Sequence, residues 1–194
     1  MSKPLESWRI FVALELPESL RQKITRHMDR LREQLPEVRA SWTRAQNLHL
    51  TLKFLGDTPV ARVEAVAAAL SGAANSCGPF EIAVGDCGAF PPRGKPNVLW
   101  IGIDDPSGKL HKLQAALETE CADAGFQRDQ RTFHPHLTIA RLRHPSDARG
   151  LAEVHRRLGF ESTAVRVTDA CLIRSELSSA GSRYTILARH ELAA

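Results

Sequence analysis

The 194-residue chain carries 26 Lys and Arg against 22 Asp and Glu, a formal charge of +4, with 43% hydrophobic residues. That balance suits one sizeable domain or two closely joined lobes, favours an anionic partner, and is too mildly basic for a chromatin-like protein. Cys77, Cys87, Cys121 and Cys171 form no C-x-x-C pair and no regular spacing, which argues against a zinc ribbon or disulfide framework and for reduced thiols in a cytosol. No signal peptide is expected, and no stretch is long enough to cross a membrane.

In chain order, Ile10, Val12, Leu14 and Leu16 alternate along a strand closed by Pro17. Leu20, Ile24, Met28, Leu31 and Leu35 then recur at spacings of three and four, which predicts an amphipathic helix ended by Pro36, with His27 on its surface. Residues 40–43 read as a short strand leading into Asn47-Leu48-His49-Leu50-Thr51-Leu52-Lys53-Phe54-Leu55. Asp57-Thr58-Pro59 reads as a helix start, Thr58 capping and Pro59 at the first helical position, with Val60, Val63, Val66 and Leu70 on the buried face. After Gly78-Pro79, Phe80, Ile82 and Val84 form a strand whose partner is 98–103, and the stiff basic connection 88–96 between them is a candidate lip for a cleft. Ser107 caps a third helix carrying Leu110, Leu113, Leu117 and Cys121, stopped by Gly125, with His111 exposed. Pro135-His136-Leu137-Thr138-Ile139-Ala140-Arg141 is the next strand, followed by a helix over 146–158 and two strands, 164–174 and 183–188, joined by a turn.

The two His-Leu-Thr strands are the centre of this pattern. Alternation places each His and Thr, at i and i+2, on one face and the neighbouring aliphatics on the other. Each half of the chain then holds strands, a helix, a His-x-Thr strand and another helix, an internal repeat with no linker between its copies. The expected fold is α+β: a single bilobal domain over 1–194, two pseudo-symmetric lobes of antiparallel-rich sheet with helices outside, and the motif strands facing a central cleft.

Two histidines flanking a phosphorus centre suit general acid and base catalysis, because an ordinary imidazole titrates near neutrality. The threonine hydroxyls can donate to non-bridging phosphate oxygens, and Arg141 or Lys53 can add positive charge. No P-loop, kinase glycine pattern or acidic two-metal cluster is present, so neither metal nor other cofactor is expected. A zinc site built from His49, His134 and His136 is disfavoured by their spacing and by Pro135. Phe11 and Phe90 are candidates to stack on a base, although core packing is the commoner use of each.

These segments, with Arg9 to Pro17, Pro96 to Trp100, Phe133 to Arg141 and Tyr184, resemble the bacterial LigT-like branch of the 2H phosphoesterase superfamily, whose members are RNA 2′,3′-cyclic phosphodiesterases, historically called 2′-5′ RNA ligases. The resemblance implies hydrolysis of an RNA-terminal 2′,3′-cyclic phosphate to a 2′-phosphate. His49 would be the proton donor, His136 the proton acceptor, and Thr51, Thr138 and Arg141 would hold the phosphate, with Phe11, Lys53 and Phe90 as further substrate contacts. It also implies RNA ends as the partner; with the reduced thiols, the expectation is a cytoplasmic protein, and a monomer is expected. Ligation at the same site and a non-catalytic RNA-end-binding module are the alternatives. Strict alternation turns Arg141 away from His136, so its part requires a bulge or the strand end.

Overall fold

The computed structural model describes residues 6–142, 145–179 and 181–193. In chain order they form β1 (Ser7–Glu15), α1 (Glu18–Gln34), β2 (Ala40–Trp42), β3 (His49–Pro59), α2 (Val63–Asn75), β4 (Phe80–Phe90), β5 (Val98–Asp104), α3 (Lys109–Asp123), β6 (His136–Leu142), α4 (Pro145–Leu158), β7 (Thr163–Val167), β8 (Asp169–Ser178) and β9 (Gly181–Glu191). Two antiparallel sheets result, one ordered β3-β1-β8-β9 and the other β2-β6-β5-β4-β7. The α+β, two-sheet architecture expected from the repeat is the one observed.

The sheets do not divide the chain at its middle. β2 lies beside β6 in the five-stranded sheet although β1 and β3 flank it in sequence, and β8 and β9 return to the four-stranded sheet from the far end. The helices cross over as well: α2 packs on β8 and β9 beside α3, while α1, which follows β1, meets α4. One continuous apolar cluster takes in Ile10, Val12 and Leu50 of one sheet, Ile82, Leu99, Ile101 and Leu137 of the other, and the buried faces of the helices. Burying such a side chain stabilises by about 1.5–3 kcal/mol, so the lobes share their principal source of stability. A smaller cluster of Phe11, Ala13, Cys171 and Ile173, with Tyr184 against it, lies on the opposite face of β1. That strand is therefore buried on both faces.

Local signals were followed where tertiary pairing did not compete. Helix α1 buries Leu20, Ile24, Met28 and Leu31 as its periodicity requires. At the start of α3 the N-cap is Gly108, at φ 67°, rather than the expected Ser107, whose hydroxyl one residue earlier accepts the Lys109 amide at 3.2 Å, and Gly125, at φ 79°, ends the helix in a conformation costly for residues with a Cβ. Four expectations are corrected. Thr58 does not cap a helix: β3 runs on through Pro59, Thr58 pairs with Trp8 and is buried, and α2 starts only at Val63 after a 3-10 turn, Val60–Arg62. The stretch 164–174 is two strands in different sheets, β7 beside β4 and β8 beside β1. His27 is buried rather than superficial, because α4 covers it and His155 Nδ1 accepts its Nε2–H at 2.9 Å. The expected lip also begins later, since β4 stays paired with β5 through Phe90 and Val98. All four cysteines are free and buried, and no helix among the described residues is long and apolar enough to cross a membrane.

Candidate active site

Strands β3 and β6 bring their motifs to the site by the same backbone device. In β3, Thr51 pairs with Ala13 and Lys53 with Val12, leaving Leu52 as an unpaired extra residue. In β6, Thr138 pairs with Trp100 and Ala140 with Leu99, leaving Ile139 as the extra one. Each bulge falls on the third residue after the histidine. It inverts the alternation, so Leu52 and Lys53 both turn inward, as do Ile139 and Ala140. The next residues, Phe54 and Arg141, thereby join the His and Thr of their own strands. The bulge that Arg141 required is present.

The two imidazoles are oriented alike. Nδ1 of His49 lies 2.7 Å from the Asn47 carbonyl, and Nδ1 of His136 lies 2.7 Å from the His134 carbonyl. A carbonyl only accepts, so in each neutral ring Nδ1 carries the proton and Nε2 keeps its lone pair for a substrate. The His49 ring rests on Phe11 at a centroid distance of 4.7 Å and meets Tyr184 edge-on at 5.4 Å. Burial pushes the His49 pKa below the ordinary imidazole value, against the opposing pull of the Asn47 carbonyl. The His136 ring meets Phe90 edge-on at 5.1 Å, and Phe90 leans on Trp100 at 5.3 Å. Trp100 lies flat on the sheet because Gly88 leaves room for it; a Cβ there would stand 2.0 Å from the indole.

Side-chain bonds clamp the two strands in place. Asn47 Nδ2 donates to the Ser182 carbonyl at 2.8 Å, tying the turn before His49 to β9, and the Thr43 hydroxyl donates to the Thr138 carbonyl at 2.9 Å. Between the strands lies a cavity of about 660 Å³ lined by His49, Thr51, His136, Thr138 and Arg141 together, with Arg9, Phe54 and Tyr184 on its walls. An adjoining cleft of about 620 Å³, lined by Phe90, Trp100 and His134, shares His136 with it. Five of the residues singled out from the sequence for the chemistry therefore meet at one place, with two titratable nitrogens, two hydroxyls and one guanidinium, and Phe11, singled out as a contact, lines the same cavity.

The other three divide. Lys53 is corrected: the bulge turns it inward, so it does not line the cavity that the two histidines share, and its Nζ sits 2.7 Å from Glu118 and 2.9 Å from the Gln127 carbonyl. Phe11 is 3% exposed, its ring packed under His49 and against Tyr184, so it supports the imidazole rather than offering a stacking face. Phe90 touches His136 and lines the adjoining cleft. Phe54, Arg9, Asn47 and Tyr184 were not singled out as site residues. The position of Phe54, fifth after its histidine like Arg141, was the available signal. Among the described residues the grouping of three possible metal ligands is His27, Cys87 and His155, and none of them lines the histidine cavity.

Comparison with known proteins places the chain in a family. The pattern of the 2′-5′ RNA ligase superfamily matches residues 17–178. The RNA 2′,3′-cyclic phosphodiesterase of Methanothermobacter thermautotrophicus is 34% identical over 178 residues, covering 91% of this chain and 95% of that relative. The Escherichia coli protein of the same name is 30% identical over 187 residues, covering 96% and 98%. The crystal structure of E. coli LigT complexed with 3′-AMP superposes with a TM-score of 0.76 at 26% identity, covering 97% of this chain and all of that one. With the repeated strands, the matched bulges and these relatives taken together, the chain belongs to the 2′-5′ RNA ligase superfamily.

Proposed function

We propose that this chain hydrolyses RNA-terminal 2′,3′-cyclic phosphates to 2′-phosphates by metal-free acid and base catalysis from two histidines. The observation that carries the reading is the single cavity shared by His49, Thr51, His136, Thr138 and Arg141. His136 Nε2 takes a proton from water as the water oxygen bonds to phosphorus; the bond from phosphorus to O3′ breaks, and His49 Nε2–H protonates the departing oxygen. One water is consumed and the imidazoles exchange protonation states, to be reset by solvent. The threonine hydroxyls and the Arg141 guanidinium donate to the non-bridging oxygens as their charge grows. Burial disfavours the charged form of His49 in the free enzyme, and an anionic phosphate beside it restores that form, so proton donation is matched to the presence of substrate. That two relatives are RNA 2′,3′-cyclic phosphodiesterases supports the choice of substrate. The cavity is complete within one chain, which supports a monomeric single-domain enzyme, and we place its work on RNA ends in the cytoplasm.

The test is product analysis on a short oligonucleotide ending in a 2′,3′-cyclic phosphate. A 2′-phosphate is expected, and His49→Ala and His136→Ala should each lower turnover by about 10²- to 10⁴-fold, with the double variant little worse than either. A substrate with a much better leaving group should rescue His49→Ala alone. Rescue of His136→Ala instead would reverse the two roles, and unimpaired single variants would dispose of the mechanism.

A further inference from the structure

Away from the histidine cavity, three metal-binding side chains converge from three elements: His27 of α1, Cys87 of β4 and His155 of α4. One donor atom of each lies within 4.8 Å of the other two, and all three residues are buried. His27 Nε2 stands 2.9 Å from His155 Nδ1 and 4.0 Å from Cys87 Sγ.

A further bulge delivers the thiol. Gly85 pairs with Gly102 and Cys87 with Ile101, which leaves Asp86 as an extra residue at φ 63°, its carboxylate accepting the Cys87 amide at 2.7 Å. Strict alternation from the buried Val84 turns Asp86 inward and Cys87 outward. The bulge instead leaves Asp86 on the cleft that adjoins the cavity and sets the Cys87 thiol beside His27. The rings are oriented to match. His155 Nε2 donates to the Trp100 carbonyl at 2.9 Å, the kind of acceptor that fixes the tautomer and ring of a metal-bound histidine, so Nδ1 directs its lone pair into the group. The proton on His27 Nε2 fills the space between the rings, and it can pass to Nδ1 when a cation takes that space. Burial keeps both imidazoles neutral, the form that binds metals.

The donor set limits the ion. Structural zinc takes four ligands, and among the described residues no fourth His, Cys, Asp or Glu joins the group. Thiolate sulfur selects Cu+ as well as zinc. One thiolate and two neutral rings carry a single negative charge, so a monovalent cation leaves the buried group neutral, whereas Zn2+ leaves a net charge out of water. Bonds of about 2.0 Å to nitrogen and about 2.3 Å to sulfur in a trigonal plane set donor separations of about 3.5–3.7 Å. The 2.9 Å and 4.0 Å separations bracket these, so small side-chain rotations suffice.

We propose that His27, Cys87 and His155 form a trigonal Cu+ site that ties α1 and α4 to β4. Binding replaces the S–H bond by a Cu–S bond and releases one proton to solvent, with no electron transferred. Burial raises the Cys87 thiol to about 12, so the cation itself displaces that proton. None of the three residues lines the histidine cavity, so the site is independent of the phosphodiester chemistry.

The full chain, reduced and kept free of oxygen, is titrated with Cu+ held by bicinchoninate. One equivalent per chain should pass from the chelator to the protein, with an ultraviolet thiolate-to-copper absorption and a rise in Tm. Cys87→Ser should weaken binding by more than about 100-fold, since losing even a hydrogen-bond partner of a ligand costs about 10- to 100-fold. Cys77→Ser, which removes another buried cysteine, should bind as the wild type does. No transfer from the chelator, or full affinity in Cys87→Ser, overturns the site, and tighter binding of Zn2+ than of Cu+ overturns the monovalent assignment. X-ray absorption of the loaded wild type needs no variant: one sulfur and two nitrogens around copper support the site, and a shell without sulfur refutes it.

Discussion

Replacing Lys53 by Met separates two uses of one residue. Its Nζ lies 2.7 Å from Glu118 Oε2, and the two side chains are only 3% and 10% exposed. It also donates to the Gln127 carbonyl at 2.9 Å. Methionine keeps much of the volume of the stem and removes the charge, which leaves a buried carboxylate without its counter-ion and a carbonyl without its donor. Removing one partner of a buried pair costs about 3–5 kcal/mol. Glu118 Oε2 still accepts the Asp129 amide at 3.2 Å, so the low end of that range applies. For a chain of this size about 3 kcal/mol corresponds to a fall in Tm of roughly 6–12 °C. Adding Glu118→Leu should recover most of the loss, because an apolar pair of similar volume is often as stable as the ionic one. Thermal and urea unfolding of the wild type, both single variants and the double variant gives the coupling directly. KM for the cyclic phosphate, measured well below the melting range, should stay within a few-fold of wild type. A Lys53→Met protein as stable as wild type but unable to bind substrate would refute this and return Lys53 to the cleft as a phosphate contact.

Stability should also depend on pH through the buried imidazoles. Burial lowers the pKa of His27 from 6.5 to about 4 and moves His49 and His155 in the same direction, so between these values the unfolded chain binds protons that the folded one does not. The stabilisation is complete above about 6.5 and is lost as the pH falls toward 4; a urea midpoint unchanged between the two ends of that window would contradict it. Turnover should persist in excess EDTA, since imidazoles and hydroxyls supply the chemistry proposed. Complete loss on chelation, restored by zinc or manganese, would overturn the metal-free mechanism.

Much of the candidate site was legible because strand alternation is a local property: His and Thr two residues apart share a face whatever surrounds them. The bulges are not local in that sense. The same count along the strand that turned Arg141 away from the cleft turned Lys53 toward it, and one extra residue per strand reverses both. Nothing in Leu-Thr-Leu-Lys or Leu-Thr-Ile-Ala announces that residue; it is set by the register with β1 and β5. Thr58-Pro59 carried a sound capping signal that lost to pairing with β1, extended by the Val60 amide donating to the Glu6 carbonyl at 3.0 Å. Thr168 marks the passage between sheets with neither Gly nor Pro, so the apolar run from β7 to β8 looked continuous. His27 was misplaced because a helix covered by a second helix buries a wider stripe than its sheet-facing residues reveal.

The exchange of strands between the sheets has a mechanical consequence. The chain passes from one sheet to the other between β1 and β2, back before β3, again before β4, and once more between β7 and β8. Several covalent crossings in series leave no single segment about which the lobes can swing, because rotation at one is opposed by the others. A change in the width of the cleft between the two imidazoles is thus opposed at each crossing. For the same reason a cut in the loop after α2 would not yield two independent halves. The first piece would hold β1 and β3 without β8 and β9, the second would lack β2, and each would need the other to finish its sheet.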